Sequence, residues 1–410
     1  MSLKKLKANF DLPLKVWIVG LIAFINSVSF TILIPILYPY AKQFGLSDFE
    51  ASLLITSYSI AQFLATPILG RLSDFIGRKP LLVVSLLGTM VANLLASVSP
   101  TAGLLFFARI LDGLTGGNNA IARAVISDST APEDRAKAFG LLGATFGLGF
   151  VTGPAISYFA QTLPTFPGVT SLGMSFFAGA AIAMVATILA WVLLPETLPQ
   201  RTTSIRLNWQ MFGFGKILQS IQRPKIGRVF LLTFLSGFSF TIFTFAFQPF
   251  FLNVLHQDAK ALAILFTSIG VVGVLTQVFA VAPIARRFNL ADVLCVAIAG
   301  RALVFLLIPT FPFPSVFVVL VLSIGVTNSF PIPLISTLLS MNSSNREQGE
   351  VLGINESYLS ISNAFGPAIA GLLVSLSYST PFWVTGILTL GTAAFALSLK
   401  PVLACDRKTT

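Results

Sequence analysis

A few charged side chains stand inside long stretches that otherwise carry no charge, and these are the residues able to do chemistry. Arg109, Asp112, Gly116, Asn119 and Arg123 follow one another at spacings of three, four, three and four. On one helix they fall within an arc of about 80°, a single polar stripe on an apolar surface. A carboxylic acid in such a place can take up and release a proton, and a guanidinium can hold it ionised. Charge inside an apolar span is costly and marks function by default; the plainer alternative is an Arg109–Asp112 pair that only neutralises itself. Glu356, Ser360, Asn363 and Pro367 share one face of another apolar segment. Glu356 is a second proton-site candidate, protonated, paired or wet at the interface. Arg301 is an available partner for it, with snorkelling to the lipid interface as the alternative.

No enzymatic set accompanies these groups. There is one histidine, and Cys295 and Cys405 have neither metal-ligand spacing nor a disulfide framework. No glycine-rich phosphate loop is present, so ATP drive is not expected. An enzyme is not expected, nor any cofactor, and a proton gradient is the suspected source of energy.

The elements that must carry these residues are membrane helices. Hydrophobic residues make up 55% of the 410 and charged residues 10%, with a mean hydropathy of +0.87. Soluble domains carry about 25% charged residues. A chain so poor in charge is a polytopic membrane protein, and its net charge of +11 is first a matter of topology rather than of nucleic-acid binding. The apolar run 16–41 is too long for the core of a cleavable signal peptide.

Spans of about 20 apolar residues are expected near 15–40, 49–70, 80–98, 102–126, 138–160, 172–194, 228–252, 259–284, 291–309, 315–338, 351–375 and 381–400. Three uncharged runs too long for one helix are each divided by a proline-containing turn, at 161–168, 310–315 and 377–381. With the N-terminus inside, 21 of the 26 Lys and Arg fall in cytoplasmic segments and only Lys42 and Lys260 in outer loops. That asymmetry supports twelve helices with both ends cytoplasmic.

The longest polar segment divides the chain into residues 1–195, a linker 196–227, and residues 228–410. Trp209, Met211, Phe212, Phe214 and Leu218 suggest a short interfacial helix within the linker, with a solvated connector as the alternative. Gly153-Pro154-Ala155-Ile156 repeats as Gly366-Pro367-Ala368-Ile369, and Gly140 repeats as Gly353 at the same separation. An internal repeat of this kind favours two bundles around a central cavity over a generic helical bundle.

The stretch Gly70-Arg71-Leu72-Ser73-Asp74-Phe75-Ile76-Gly77-Arg78-Lys79 joins two of these apolar runs. It resembles the loop between helices 2 and 3 of the major facilitator superfamily of transporters, roughly G-x-L-[AS]-D-x-x-G-[RK]-[RK], and fills every fixed position. The resemblance implies an all-α membrane fold of twelve helices in two pseudo-symmetric six-helix bundles around a central cavity. It also implies a gating loop: Asp74 meets the start of helix 11, and Arg78 pairs with an acid at the end of helix 4, here Asp128. Gly70 and Gly77 would permit the reversal. The alternative is that Arg71, Arg78 and Lys79 only obey the positive-inside rule.

Further resemblances narrow the family. Arg109-Ile-Leu-Asp-Gly113 is similar to the R-x-x-Q-G motif of proton-coupled members, with Asp112 in place of Gln. Gly149, Gly153 and Pro154 belong to a stretch that looks like the helix 5 signature of drug antiporters, and 128–140 resembles the corresponding loop of tetracycline-resistance-type exporters. One departure stands against these: Asn26, nine residues before Pro35, occupies a place where drug:proton antiporters usually carry Asp. The resemblance implies a multi-pass plasma-membrane exporter (a bacterial inner membrane) of small organic solutes, a monomer in the bilayer, working by alternating access. Asn26, Arg109, Asn119, Gln248 and Asn328 are the expected substrate contacts. The phenylalanines of 238–247 are expected either as an apolar wall for substrate or on the lipid face. A sugar, glycoside or metabolite carrier without proton coupling, and a transporter-shaped sensor, are the alternatives.

Overall fold

A computed structural model describes residues 12–131, 134–198, 200–201, 214–223, 226–343 and 347–399. Every regular element among them is a helix, as expected of a chain that must satisfy its backbone hydrogen bonds without water. Among the described residues, eleven helices are long and apolar enough to cross a membrane. The twelfth span is present in two shorter pieces, Ala102–Thr115 and Asn118–Ser129. The twelve-helix architecture is therefore the one observed, with several spans built differently from simple rods.

Span 1 is the helix Leu14–Thr31, a short stretch of turns, and then Leu37–Gln43. Span 10 is Pro314–Thr327 followed by Pro331–Met341. In both, the first helix ends four residues before a proline, Pro35 or Pro331. Proline has no N–H for the carbonyl four residues back, and its ring clashes there. Span 4, expected as one helix over 102–126, is interrupted at Gly116-Gly117, two adjacent residues that each cost about 1 kcal/mol relative to Ala in a helix interior. Span 7, Ile226–Pro249, passes into a π-helical turn at Phe250–Val254, and span 8 does the same at Gln277–Val281. The four spans expected to supply substrate contacts (1, 4, 7 and 10) are all irregular.

The charged decapeptide is also different from a loop. The helix Asp48–Ile76 runs through Gly70, and Arg78–Ser97 starts immediately after Gly77. The reversal is made by Gly77 alone, whose φ of 123° belongs to glycine. Gly70 lies inside the helix, with nothing within 4 Å of where a Cβ would stand. Residues 71–76 continue the helix, and Asp74 in its last turn pairs with Arg78 of the next helix.

The chain packs as two units. The first comprises residues within 1–40 and 60–211. Its core joins Val19, Leu82, Leu86, Ile121, Val125 and Ala186 from spans 1, 3, 4 and 6. The second comprises residues within 41–59 and 212–410, with Phe230, Leu294, Ile298, Leu338 and Tyr358 at its centre. Val84, Trp191, Val296 and Ile387 point outward and uncovered, the surface that acyl chains take in a bilayer. Of the expected linker helix, Phe214–Ile221 is helical and the Tyr358 hydroxyl donates to the Ile217 carbonyl at 2.9 Å. Trp209, Met211 and Phe212 lie outside the described residues, as does Cys405.

Three of the five phenylalanines at 238–247 differ from expectation. Phe243, Phe245 and Phe247 are buried, and Phe243 stacks on Phe305 with ring centroids 4.6 Å apart. They form the interior of the second unit, packed on one another rather than turned to the lipid face.

Candidate functional site

In the first unit, span 4 brings Arg109 and Asp112 into one buried pair. The Arg109 Nη1 lies 2.8 Å from the Asp112 Oδ2, and both residues are under 5% exposed. Thr89, on Arg78–Ser97, supplies a further hydrogen bond to the carboxylate. A buried pair of this kind is stable only while both charges remain. The rest of the expected stripe does not follow them. The break at Gly116-Gly117 resets the helical phase, leaving Asn119 and Arg123 exposed and Asn118 buried. Asn118 donates through Nδ2 to the Asn26 Oδ1 at 3.2 Å. The carbonyl of Gly116, freed by the break, accepts from the Gln62 side chain at 3.1 Å. Asn118 and Gln62 thus join the candidate site, and helical periodicity missed both. A double glycine in mid-span was the signal that the count should restart.

Span 5 closes onto span 1 through its glycines. A Cβ on Gly149 would meet Ser27, and one on Gly153 would meet Thr31 and the backbone of Ile32. The Thr31 hydroxyl donates to the Gly149 carbonyl at 2.6 Å. Pro154, next in the chain, lies inside the helix Arg135–Ala160. In the second unit the repeat reproduces this contact: a Cβ on Gly366 would meet Thr241, whose hydroxyl donates to the Ser362 carbonyl at 3.1 Å.

The expected gating residues converge on one guanidinium. Arg78 is buried, with its Nη1 2.6 Å from the Asp74 Oδ1 and its Nε 2.9 Å from the Asp128 Oδ2. Sequence reasoning missed a further acid here. The Glu196 carboxylate accepts from the backbone N–H of Arg78 at 3.0 Å and of Lys79 at 3.3 Å, and also from Thr197 and Leu198. It serves as the N-terminal cap that Gly77, having no side chain, leaves absent. Partial burial raises the Glu196 pKa, and the four backbone N–H groups outweigh this and hold it below the usual carboxylate value. A Cβ on Gly77 would strike this carboxylate. The signal was an acid directly after a span, opposite a helix start with no capping residue.

In the second unit, Glu356 and Asn363 are exposed on one face of Gln348–Leu376, and their neighbour Asn355 is buried and accepts from the Thr233 hydroxyl at 2.6 Å. Gln248 is 2% exposed and donates to the Thr244 carbonyl. Arg301 neither pairs with Glu356 nor snorkels. It is 1% exposed and donates to Asn328 at 2.9 Å and to Ser236 at 2.8 Å. Its position in the middle of Leu290–Thr310 points it into the bundle, beyond the reach of either interface.

The family model of the Major Facilitator Superfamily matches residues 19–223 and 229–405. Multidrug resistance protein 1 of Bacillus subtilis is 30% identical over 90% of this chain and 92% of its own length. The class C tetracycline resistance protein of Escherichia coli is 27% identical over 88% and 91%. Among solved structures, the human organic anion transporter MFSD10 superposes with a TM-score of 0.71 at 21% identity, covering 94% of this chain and all of that one. The chain belongs to the Major Facilitator Superfamily. It is a multi-pass membrane transporter, acting on a small-molecule substrate within a lipid bilayer.

Proposed function

We propose that this transporter exports small organic solutes in exchange for protons, with Asp112 carrying the proton. The observation that carries the reading is the buried Arg109–Asp112 pair at 2.8 Å. A proton arriving on Asp112 turns a neutral ion pair into an acid beside an uncompensated guanidinium. Breaking one partner of such a pair costs about 3–5 kcal/mol, enough to bias one conformation of span 4 over another. The Gly116-Gly117 break lies within two turns of the pair and offers the place to bend. Export is supported by the relatives, whose names are those of multidrug and tetracycline resistance proteins.

In this reading Asn26, Asn118, Asn119, Gln248 and Asn328 supply polar contacts to the solute, and Glu356 is the alternative to Asp112 as the proton site. Asp74, Arg78 and Asp128 form the cytoplasmic latch. The halves are residues 1–195 and 228–410, joined by 196–227, with both ends in the cytoplasm and the protein acting as a monomer. A second reading, transport of a metabolite without proton coupling, is favoured by Asn26, which cannot titrate where an acid is usual.

The deciding experiment uses everted vesicles given ethidium or tetracycline on the outside under an imposed pH gradient. Proton-driven accumulation that Asp112→Asn abolishes supports antiport. Accumulation unaffected by collapsing the gradient supports the second reading.

A further inference from the structure

Among the described residues Arg301 is a whole positive charge with no negative partner. It occupies the middle of Leu290–Thr310, is 1% exposed, and forms no ion pair with any Asp or Glu among the described residues. Its acceptors are neutral: the Asn328 Oδ1 at 2.9 Å to Nη1, and the Ser236 Oγ at 2.8 Å and carbonyl at 3.2 Å to Nη2. Its Nε–H has no acceptor. The rings of Phe240 and Phe305 face it at 5.8 and 6.0 Å.

The two buried arginines of this protein are therefore built on opposite principles. Arg109 is neutralised by Asp112 within its own helix, whereas Arg301 keeps its charge. Neutral acceptors and ring faces recover only part of what desolvating a cation costs. An anion would recover more. Geometry says where it would bind. The edge of the guanidinium formed by Nε and Nη2 is the one that takes a carboxylate bidentately. Nε is unoccupied, and Nη2 is held by a serine hydroxyl that can turn to donate to the newcomer. Asn328 would keep Nη1. It caps the helix Pro314–Thr327 at the break before Pro331, so it can shift without unwinding a continuous helix.

We propose that Arg301, with Ser236 and Asn328, is a recognition site for the carboxylate of an organic acid, and that the half-buried Phe240 accepts the acid's apolar body. The assignment deepens the proposed function by naming a cargo class, and it rests on that reading for the carboxylate being cargo. The occupant is a monocarboxylate bearing an aromatic or other flat apolar group, because the Phe240 ring flanks the guanidinium.

The test is equilibrium binding to the purified full-length protein in detergent, measured by calorimetry and thermal stabilisation. The probes are 1-naphthoate and benzoate against their neutral amides and against chloride. The wild type should bind the acids saturably and the amides and chloride about tenfold or more weakly, as expected for a lost charge-assisted pair. Arg301→Gln should lose the preference for acid over amide. Arg301→Lys, which keeps the charge without the fork, should retain part of it. Asn328→Asp, which supplies an internal carboxylate, should melt higher and no longer bind the acids, and it stays informative if Arg301→Gln fails to fold. Equal binding of acids and amides, equal binding of chloride, or acid binding unchanged in Arg301→Gln or Asn328→Asp would overturn the assignment. Binding does not depend on direction or coupling, so a failure of proton-driven export with acid binding retained would retire only the antiport reading.

Discussion

The Thr31 hydroxyl donates to the backbone carbonyl of Gly149 at 2.6 Å, and 210 residues later Thr241 does the same to Ser362 at 3.1 Å. Each acceptor stands one helical turn before a glycine, Gly153 or Gly366, that has no room for a Cβ. The two contacts are one device used twice, a threonine fastening a glycine-faced helix by its main chain. Gly153→Ala and Gly366→Ala should each lower stability in detergent by about 1–3 kcal/mol, the usual cost of overpacking. Differential scanning fluorimetry of the two variants checks this. A loss in one half only would show that the repeat is not equivalent in energy.

Gly77 makes a reversal with a φ open to glycine and leaves space for Glu196. Gly77→Ala meets both constraints at once. It should destabilise by about 1–3 kcal/mol from backbone conformation alone, whereas Gly70→Ala, inside a helix with open space around it, should be neutral or slightly stabilising. Paired melting curves separate the two.

Glu196 links the end of span 6 to the start of span 3. Its carboxyl is held below the ordinary value of 4.5 by the backbone N–H groups it accepts from, which outweigh its partial burial. A depressed carboxyl stabilises the fold above its unfolded value and ceases to do so as pH falls through its folded value. Glu196→Ala should therefore melt below the wild type at neutral pH, by an amount near the low end of the ~0.5–2 kcal/mol of a lost cap, since the side chain is exposed. The gap should close as the pH is taken below 4.5. A gap independent of pH would mean the carboxylate charge has no part in it.

Arg78 is shared by Asp74 and Asp128. If this cluster is the latch, Asp74→Asn should slow transport while leaving membrane insertion and folding intact. Asp128→Asn should do likewise, through the same guanidinium. Transport rates in vesicles, normalised to inserted protein, give the comparison, and full activity in both variants would exclude a gating role.

Much of this was legible in the chain because lipid is an unforgiving solvent. Hydropathy placed the spans, and the charges that remained inside them were few enough to name: Arg109 and Asp112 do meet, and Arg78 does reach Asp128. What could not be read were breaks in helical phase and partners distant in sequence. Counting through Gly116-Gly117 at 100° per residue selected Asn119, whereas the interrupted helix buries Asn118 against Asn26. Glu196 was visible only as the start of a polar segment, because the backbone it caps lies 118 residues earlier. Arg301 was assigned to Glu356 or to the lipid interface because charge alone suggests an acid or water, and its serine acceptor lies 65 residues away. Local pattern finds a buried charge; only the packed helices say what answers it.

The central claim is that protonation of Asp112 beside Arg109 drives transport. Proteoliposomes of the purified protein, carrying an internal pH indicator and given ethidium or tetracycline, report solute and proton movement together. The wild type should move protons only when solute moves, and Asp112→Asn should still exchange solute down its own gradient while moving no protons. Solute-coupled proton flux that survives in Asp112→Asn would contradict the account.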